Sequence, residues 1–268
     1  MIRKMPLHFL AVSCLFCAPL LAQDRSARDR LFSAHAQYYT PTVSGLKSFH
    51  CDAAIDWKAM LTHSGVADVP DDNPGLKYLQ TVHLSVADEL RGRGSLDWSS
   101  PGAPPQGKEE AMMQTKEGLQ TSIAGFFQAW NAYMNGSMVP VPDGSVNVTT
   151  SGDGGVHLSG LSKETKFDED FDKNMLLTQV HVDSPSIKVV AIPTYVSTPD
   201  GLVVSAVRSL VNQPPSAPQV EATFRIEYAK VDSYRIPSRI VLDIKNTGVI
   251  DFGLSACQVS VAEWAKKK

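Results

Sequence analysis

Three groups of residues in this chain have types and spacing that could do chemistry. His50-Cys51-Asp52 places a thiol between an imidazole and a carboxylate, the groups of a thiol nucleophile and its base. The surrounding residues alternate like a strand, however, so His50 and Cys51 project to opposite faces and the triplet does not assemble. Asp168, Asp170, Asp172 and Asn174 occupy alternate positions, resembling the opening of a calcium loop. Lys173 stands where that loop needs glycine and Gln179 where it needs its bidentate glutamate. The run therefore reads as an acidic, water-facing strand edge, whose charges discourage edge-to-edge pairing. Gly92-Arg93-Gly94 lacks the third glycine of a dinucleotide fingerprint, Asp97 taking its place, and reads as a hairpin turn. His35, His63, His83, His157 and His181 show no ligand spacing. With no Gly-x-Ser-x-Gly, His-Glu-x-x-His or P-loop, the sequence predicts no catalytic residue, no metal and no cofactor. The expectation is a protein that is not an enzyme.

The positive signal is an excess of large apolar residues on one helical segment. Met112, Leu119, Ile123, Phe126, Trp130 and Tyr133 form a stripe at helical spacing, which Met113, Phe127 and Met134 widen. One stripe suffices to anchor a helix on a sheet. The surplus, with Ile55 and Trp57 on an early strand, predicts an apolar groove lined by Ile55, Trp57, Met112, Phe126, Phe127 and Trp130. Its expected ligand is a lipid or acyl chain; in the plainer alternative the same residues fill a core. Gly118, Gly125 and Ala132 follow at heptad spacing and predict a helix face that another backbone approaches closely.

The elements that must position these residues are legible in outline. Residues 24–39 read as a short helix, and Phe49 to Ala59 as an alternating strand. Asp71-Asp72-Asn73-Pro74-Gly75 reads as a turn before strands through Val82–Val86 and Ser95–Trp98. A helix of about 25 residues starts at Lys108. After Asn135, turn signals such as Pro199-Asp200-Gly201 and Asn246-Thr247-Gly248 separate strand-like runs, predicting antiparallel hairpins. The fold class expected is α+β: a curved antiparallel sheet, an unclosed half-barrel, packed against one long helix plus a short N-terminal helix. With 268 residues and no linker, one domain spans 43–263, after a helix and linker at 23–42 and before a basic tail at 264–268.

Residues 1–22 read as an export signal: Arg3 and Lys4, a mainly apolar run from Leu7 to Leu21, then Ala22 before a charged stretch. Ala11-Val12-Ser13-Cys14 loosely resembles a lipobox, so lipoprotein anchoring at Cys14 is the variant of a periplasmic or secreted location. Cleavage would take the net charge from −3 to −5, which excludes wholesale attraction to nucleic acid. No remaining segment is apolar and long enough to span a bilayer. Cys51 and Cys257 would be the only mature cysteines, and in an oxidising compartment their one intramolecular pairing closes a loop of about 200 residues. Two separate buried thiols are the alternative.

Leu46-Lys47-Ser48-Phe49-His50-Cys51-Asp52-Ala53 and the late stretch Tyr228-Ala229-Lys230-Val231-Asp232-Ser233-Tyr234-Arg235-Ile236-Pro237 carry a resemblance. So does the hairpin Tyr195-Val196-Ser197-Thr198-Pro199-Asp200-Gly201-Leu202. Together they resemble the LolA/LolB-like superfamily of periplasmic lipoprotein-sorting proteins and their sigma-factor-regulating relatives. Ser233 replaces the family's usual glycine. The resemblance implies a half-barrel with helices over its open side and lipid acyl chains bound between them. It implies lipid or lipoprotein acyl chains as partners, with envelope proteins as further ones. The family's lid arginine has no placed counterpart, though Arg91 and Arg93 are available. A protein-interaction or sensory domain with a filled core is the alternative function, and a hydrolase the third.

Overall fold

A computed structural model describes residues 18–63, 65, 69–135, 146–212 and 219–265. Residues 1–17, which hold most of the expected export signal and Cys14, lie outside them. Helix α1 covers Ala18–His35, starting and ending earlier than the expected 24–39. Strand β1 covers Leu46–Ile55, with Leu46, Phe49 and Cys51 buried. The expected strand ran on to Ala59, but α2 begins at Trp57 and extends to His63. Asp56 decides this, since its Oδ1 accepts a hydrogen bond from Ala59 N at 2.9 Å and so caps the new helix. The expected turn at 71–75 likewise opens a helix, α3 (Pro74–Gln80). Asn73 Oδ1 accepts from Gly75 N and Leu76 N, and Pro74 fits the first helical position, where no N–H is needed. The second correction arises because residues that favour turns also favour helix starts. The first arises because the alternating pattern through Asp56 could not show that its carboxylate ends the strand by capping a helix.

The remaining elements are β2 (His83–Glu89), β3 (Gly94–Ser99), α4 (Glu109–Met134) and β4 (Val146–Thr150). Then come β5 (Val156–Ser162), β6 (Thr165–Phe171), β7 (Leu177–Asp183) and β8 (Lys188–Thr198). The chain closes with β9 (Gly201–Asn212), β10 (Val220–Val231), β11 (Tyr234–Ile244) and β12 (Gly248–Val261). Among the described residues all twelve strands form one antiparallel sheet, ordered β3-β2-β1-β12-β11-β10-β9-β8-β7-β6-β5-β4, and its ends do not meet. The last strand thus returns beside the first. There the β1–β12 register slips between His50↔Gln258 and Asp52↔Ser255, so Ala256 and Cys257 stand together opposite Cys51. Cys51 and Cys257 form the expected disulfide across this bulge, their Cα atoms 4.1 Å apart.

The expected layout, one long helix against the sheet plus a short N-terminal helix, is overturned. Twelve strands make a sheet about 50 Å across, whereas the 26 residues of α4 reach only about 39 Å. The helical cover is therefore divided among four helices: α4 meets chiefly β3, α1 meets β4, and α2 meets β12 with α3 beside it. One continuous core runs beneath them, from Ala27 and Leu31 of α1 to Phe252 and Leu254 of β12. The sheet bends around α4. Phe126 stacks on Phe224 of β10 with ring centroids 5.5 Å apart, while its neighbour Phe127 lies against Gly94 of β3. Those strands are five places apart, about 24 Å in a flat sheet. Gly94 is required here, because a Cβ on it would lie 2.4 Å from the Phe127 side chain.

The small-residue face of α4 is also corrected. Gly118 and Gly125 are exposed, and a Cβ on either would meet nothing within 4 Å. No backbone approaches them, since α4 turns its larger side chains to the sheet. Gly125→Ala should then raise stability by about 1 kcal/mol through helix propensity alone. Urea denaturation measures it, and a lower midpoint would contradict the exposed placement.

Candidate functional site

The two halves of α4 behave differently. From Leu119 onward one face is buried and tied down. Gln120 Nε2 donates to Leu96 O at 3.1 Å, and Trp130 Nε1 donates to Tyr228 Oη at 3.0 Å. That hydroxyl donates in turn to Val204 O at 2.7 Å. Asn131 Nδ2 donates to Asp88 Oδ1 at 2.9 Å, and Asn135 Nδ2 donates to Leu90 O. These bonds fix the C-terminal half of α4 across β2, β3 and β10.

The six residues expected to line a groove are divided by the fold. Phe126, Phe127 and Trp130 are 1%, 0% and 1% exposed, packed edge-to-face with one another and with Phe49 of β1. They fill the core at this point, leaving no open surface. Trp57, at the start of α2, stacks edge-on against Trp98 of β3 with centroids 5.7 Å apart. Ile55 ends β1, half-buried against the core. Met112 reaches α3, where its Cε would lie 3.4 Å from a Cβ on Gly75.

A cleft does separate helix from sheet, on another face of α4 and nearer its start. It has a volume of about 620 Å³ and lies between the first half of α4, Met60 of α2 and the β11–β12 hairpin. Ala111, Thr115, Gly118 and Ser122, spaced four, three and four apart, present one helix face to it. Buried Leu119 and Met60 lie at its base, with Ile244, Val249 and Ile250 opposite. None of its twelve lining residues is charged. Sequence reasoning took Gly118 of this face as a close backbone contact and did not expect a cleft beside it. The available signal was the row of small side chains beside the large stripe.

Titratable groups are buried elsewhere. Asp88 is fully buried, and desolvation pushes its carboxyl up to about 7 despite the bond from Asn131. Glu169 of β6 is 3% exposed, and burial pushes it up to about 8. Its Oε2, like the hydroxyls of Tyr133 and Tyr195, has no hydrogen-bond partner among the described residues. On the opposite face of β6, Asp168 and Asp170 flank His157, which approaches Asp170 Oδ1 at 2.8 Å through Nδ1. Asp172 instead caps the β6–β7 turn, its Oδ1 accepting from Asn174 N and Leu176 N. Among the described residues no group of three or more His, Cys, Asp or Glu side chains is placed to hold a metal ion. None of the described helices is long and apolar enough to cross a membrane.

No family model, no curated protein and no solved structure matches this chain.

Proposed function

We propose that this protein is a non-catalytic binding protein of an extracytoplasmic compartment, taking an acyl chain of a lipid or lipoprotein in the cleft between α4 and the β11–β12 hairpin. The observation that carries the reading is the uncharged lining of that cleft, in a chain whose residues are 20% charged. Its size falls in the range of small-molecule sites. Each methylene moved from water into it would contribute about 0.8 kcal/mol, so a partly inserted chain binds without ionic contacts. The Cys51–Cys257 disulfide supports the compartment, since such bonds persist where thiols are not kept reduced. The resemblance to the LolA/LolB-like superfamily supports the ligand class.

Gly118 provides the test. It lines the cleft, and a side chain there meets open space. Gly118→Phe should keep or improve helix stability while filling the cleft. Titration with an intrinsically fluorescent fatty acid should saturate with the wild type and weaken at least tenfold with Gly118→Phe at an unchanged melting temperature. Equal binding by the two proteins, or none by the wild type, would remove the reading. The filled aromatic core around Trp130 favours a second reading, a protein-interaction domain, for which exposed Ile192 and Val196 of β8 offer an apolar face.

A further inference from the structure

The end of the molecule where β1 begins and β12 finishes carries features that the acyl-chain cleft does not use. Trp264 follows β12 and is 52% exposed, and Val43, in the turn before β1, is 70% exposed. The two turns are held together: Ala262 N donates to Gly45 O at 2.8 Å, and the Trp264 ring lies over Gly45, where a Cβ would sit 3.4 Å from its Cη2. Beside them is a second cleft of about 540 Å³, whose lining includes Lys47, Ser48, Glu89, Arg91, Ser260 and Trp264. Lys47 and Arg91 are exposed, as is Arg93 in the same β2–β3 turn, and none of the three is ion-paired among the described residues. Leu90 N donates to Lys47 O at 3.0 Å, which keeps this turn against the start of β1.

The charge here runs against the rest of the chain. The whole sequence is at −3, yet Lys47, Arg91 and Arg93 face this end against Glu89 and Glu263. The neighbouring β10–β11 turn, whose Tyr234 donates to Ser44 O, is close to neutral: Lys230 and Arg235 hold Asp200, and Asp232 is nearby. Exposed tryptophan beside clustered lysine and arginine matches a bilayer surface on two counts. Indole favours the headgroup region, and cations are attracted to the surface potential of anionic lipid.

We propose that this end, Trp264 and Val43 rimmed by Lys47, Arg91 and Arg93, docks on an anionic lipid bilayer with the Trp264 ring entering the headgroup layer. Docking would present the protein to a membrane whether or not the α4 cleft holds an acyl chain, and the Gly118→Phe protein should dock as the wild type does.

Flotation with phosphatidylcholine vesicles, with and without phosphatidylglycerol, tests the proposal. The wild type should float only with the anionic vesicles and be released at high salt. Trp264→Ser should weaken partitioning about tenfold. Each of Lys47→Glu, Arg91→Glu and Arg93→Glu should weaken it roughly fivefold or more, with the folded state checked by near-ultraviolet circular dichroism. Lipids brominated near the headgroup should quench wild-type fluorescence, and Trp264→Phe should abolish that quenching. Three results would overturn the proposal: no dependence on phosphatidylglycerol, flotation unaffected by these substitutions, or binding to soluble heparin as tight as to vesicles. The last would mark a general cation patch with no preference for a bilayer.

Discussion

Breaking the Cys51–Cys257 bond should lower the free energy of unfolding by about 5 kcal/mol. The estimate follows from the loop it closes, with 206 residues of sequence separation, which in the unfolded chain costs substantial closure entropy. In the native sheet the bond joins strands that are already neighbours, so its effect lies mainly in the unfolded ensemble. Cys51 is fully buried while Cys257 is only partly covered, so the Cys51→Ala/Cys257→Ala protein also loses some packing on the inner side. Urea denaturation of the oxidised wild type, the reduced wild type and the double variant measures the effect. All three should show β-rich circular dichroism before unfolding, with the latter two midpoints well below the first. Coincident midpoints would mean that the covalent closure is thermodynamically idle. Two alkylatable thiols in unreduced exported protein would remove the bond altogether.

The second large effect concerns pH. Glu169 is pushed up to about 8 and Asp88 to about 7 by burial, from ordinary values of 4.5 and 3.8. The native state therefore holds protons that the unfolded chain has released, between about pH 4 and about pH 8. Stability must fall as pH rises through that window, by up to several kcal/mol if both groups titrate without structural relief. The melting temperature should be higher near pH 5 than near pH 8.5, by roughly 5–10 °C for a chain of this size. Glu169 sits among Tyr38, Tyr133 and Tyr195, which cannot supply a positive charge to its carboxylate. Glu169→Gln should therefore flatten the profile and raise stability on the alkaline side, and Asp88→Asn should act similarly. A melting temperature that climbs steadily from pH 5 to 8 would contradict the buried neutral carboxyls. An unchanged profile in Glu169→Gln would assign the dependence to other groups.

What could be read without a structure was set by local periodicity and by the count of cysteines. Alternation at Phe49, Cys51 and Ala53 marked β1, and the stripe from Leu119 to Tyr133 marked the buried face of α4. The turn signals after residue 135 placed hairpins whose strands are paired in antiparallel register. With export assumed, only two cysteines could pair. Capping chemistry was ambiguous at Asn73, because one side-chain oxygen serves a turn and a helix start equally well, and at Asp56 the alternation that suggested a longer strand hid a helix cap. β6 also hid behind its carboxylates: Asp168 and Asp170 face water beside His157, while Glu169 between them points inward.

The tertiary structure alone decided how the apolar surplus is used. Helical spacing shows that Phe126, Phe127 and Trp130 share a side, but not how far a sheet bends to meet them. With β3 and β10 both reaching α4, those rings met Phe49 and Phe224 and became core. The uncovered surface moved to the small side chains around Gly118, where the β11–β12 hairpin stands off from the helix. Such a gap depends on the relative positions of elements more than a hundred residues apart, which local pattern does not encode. The same holds for the cationic end, where Lys47, Arg91 and Trp264 meet only because the last strand returns beside the first.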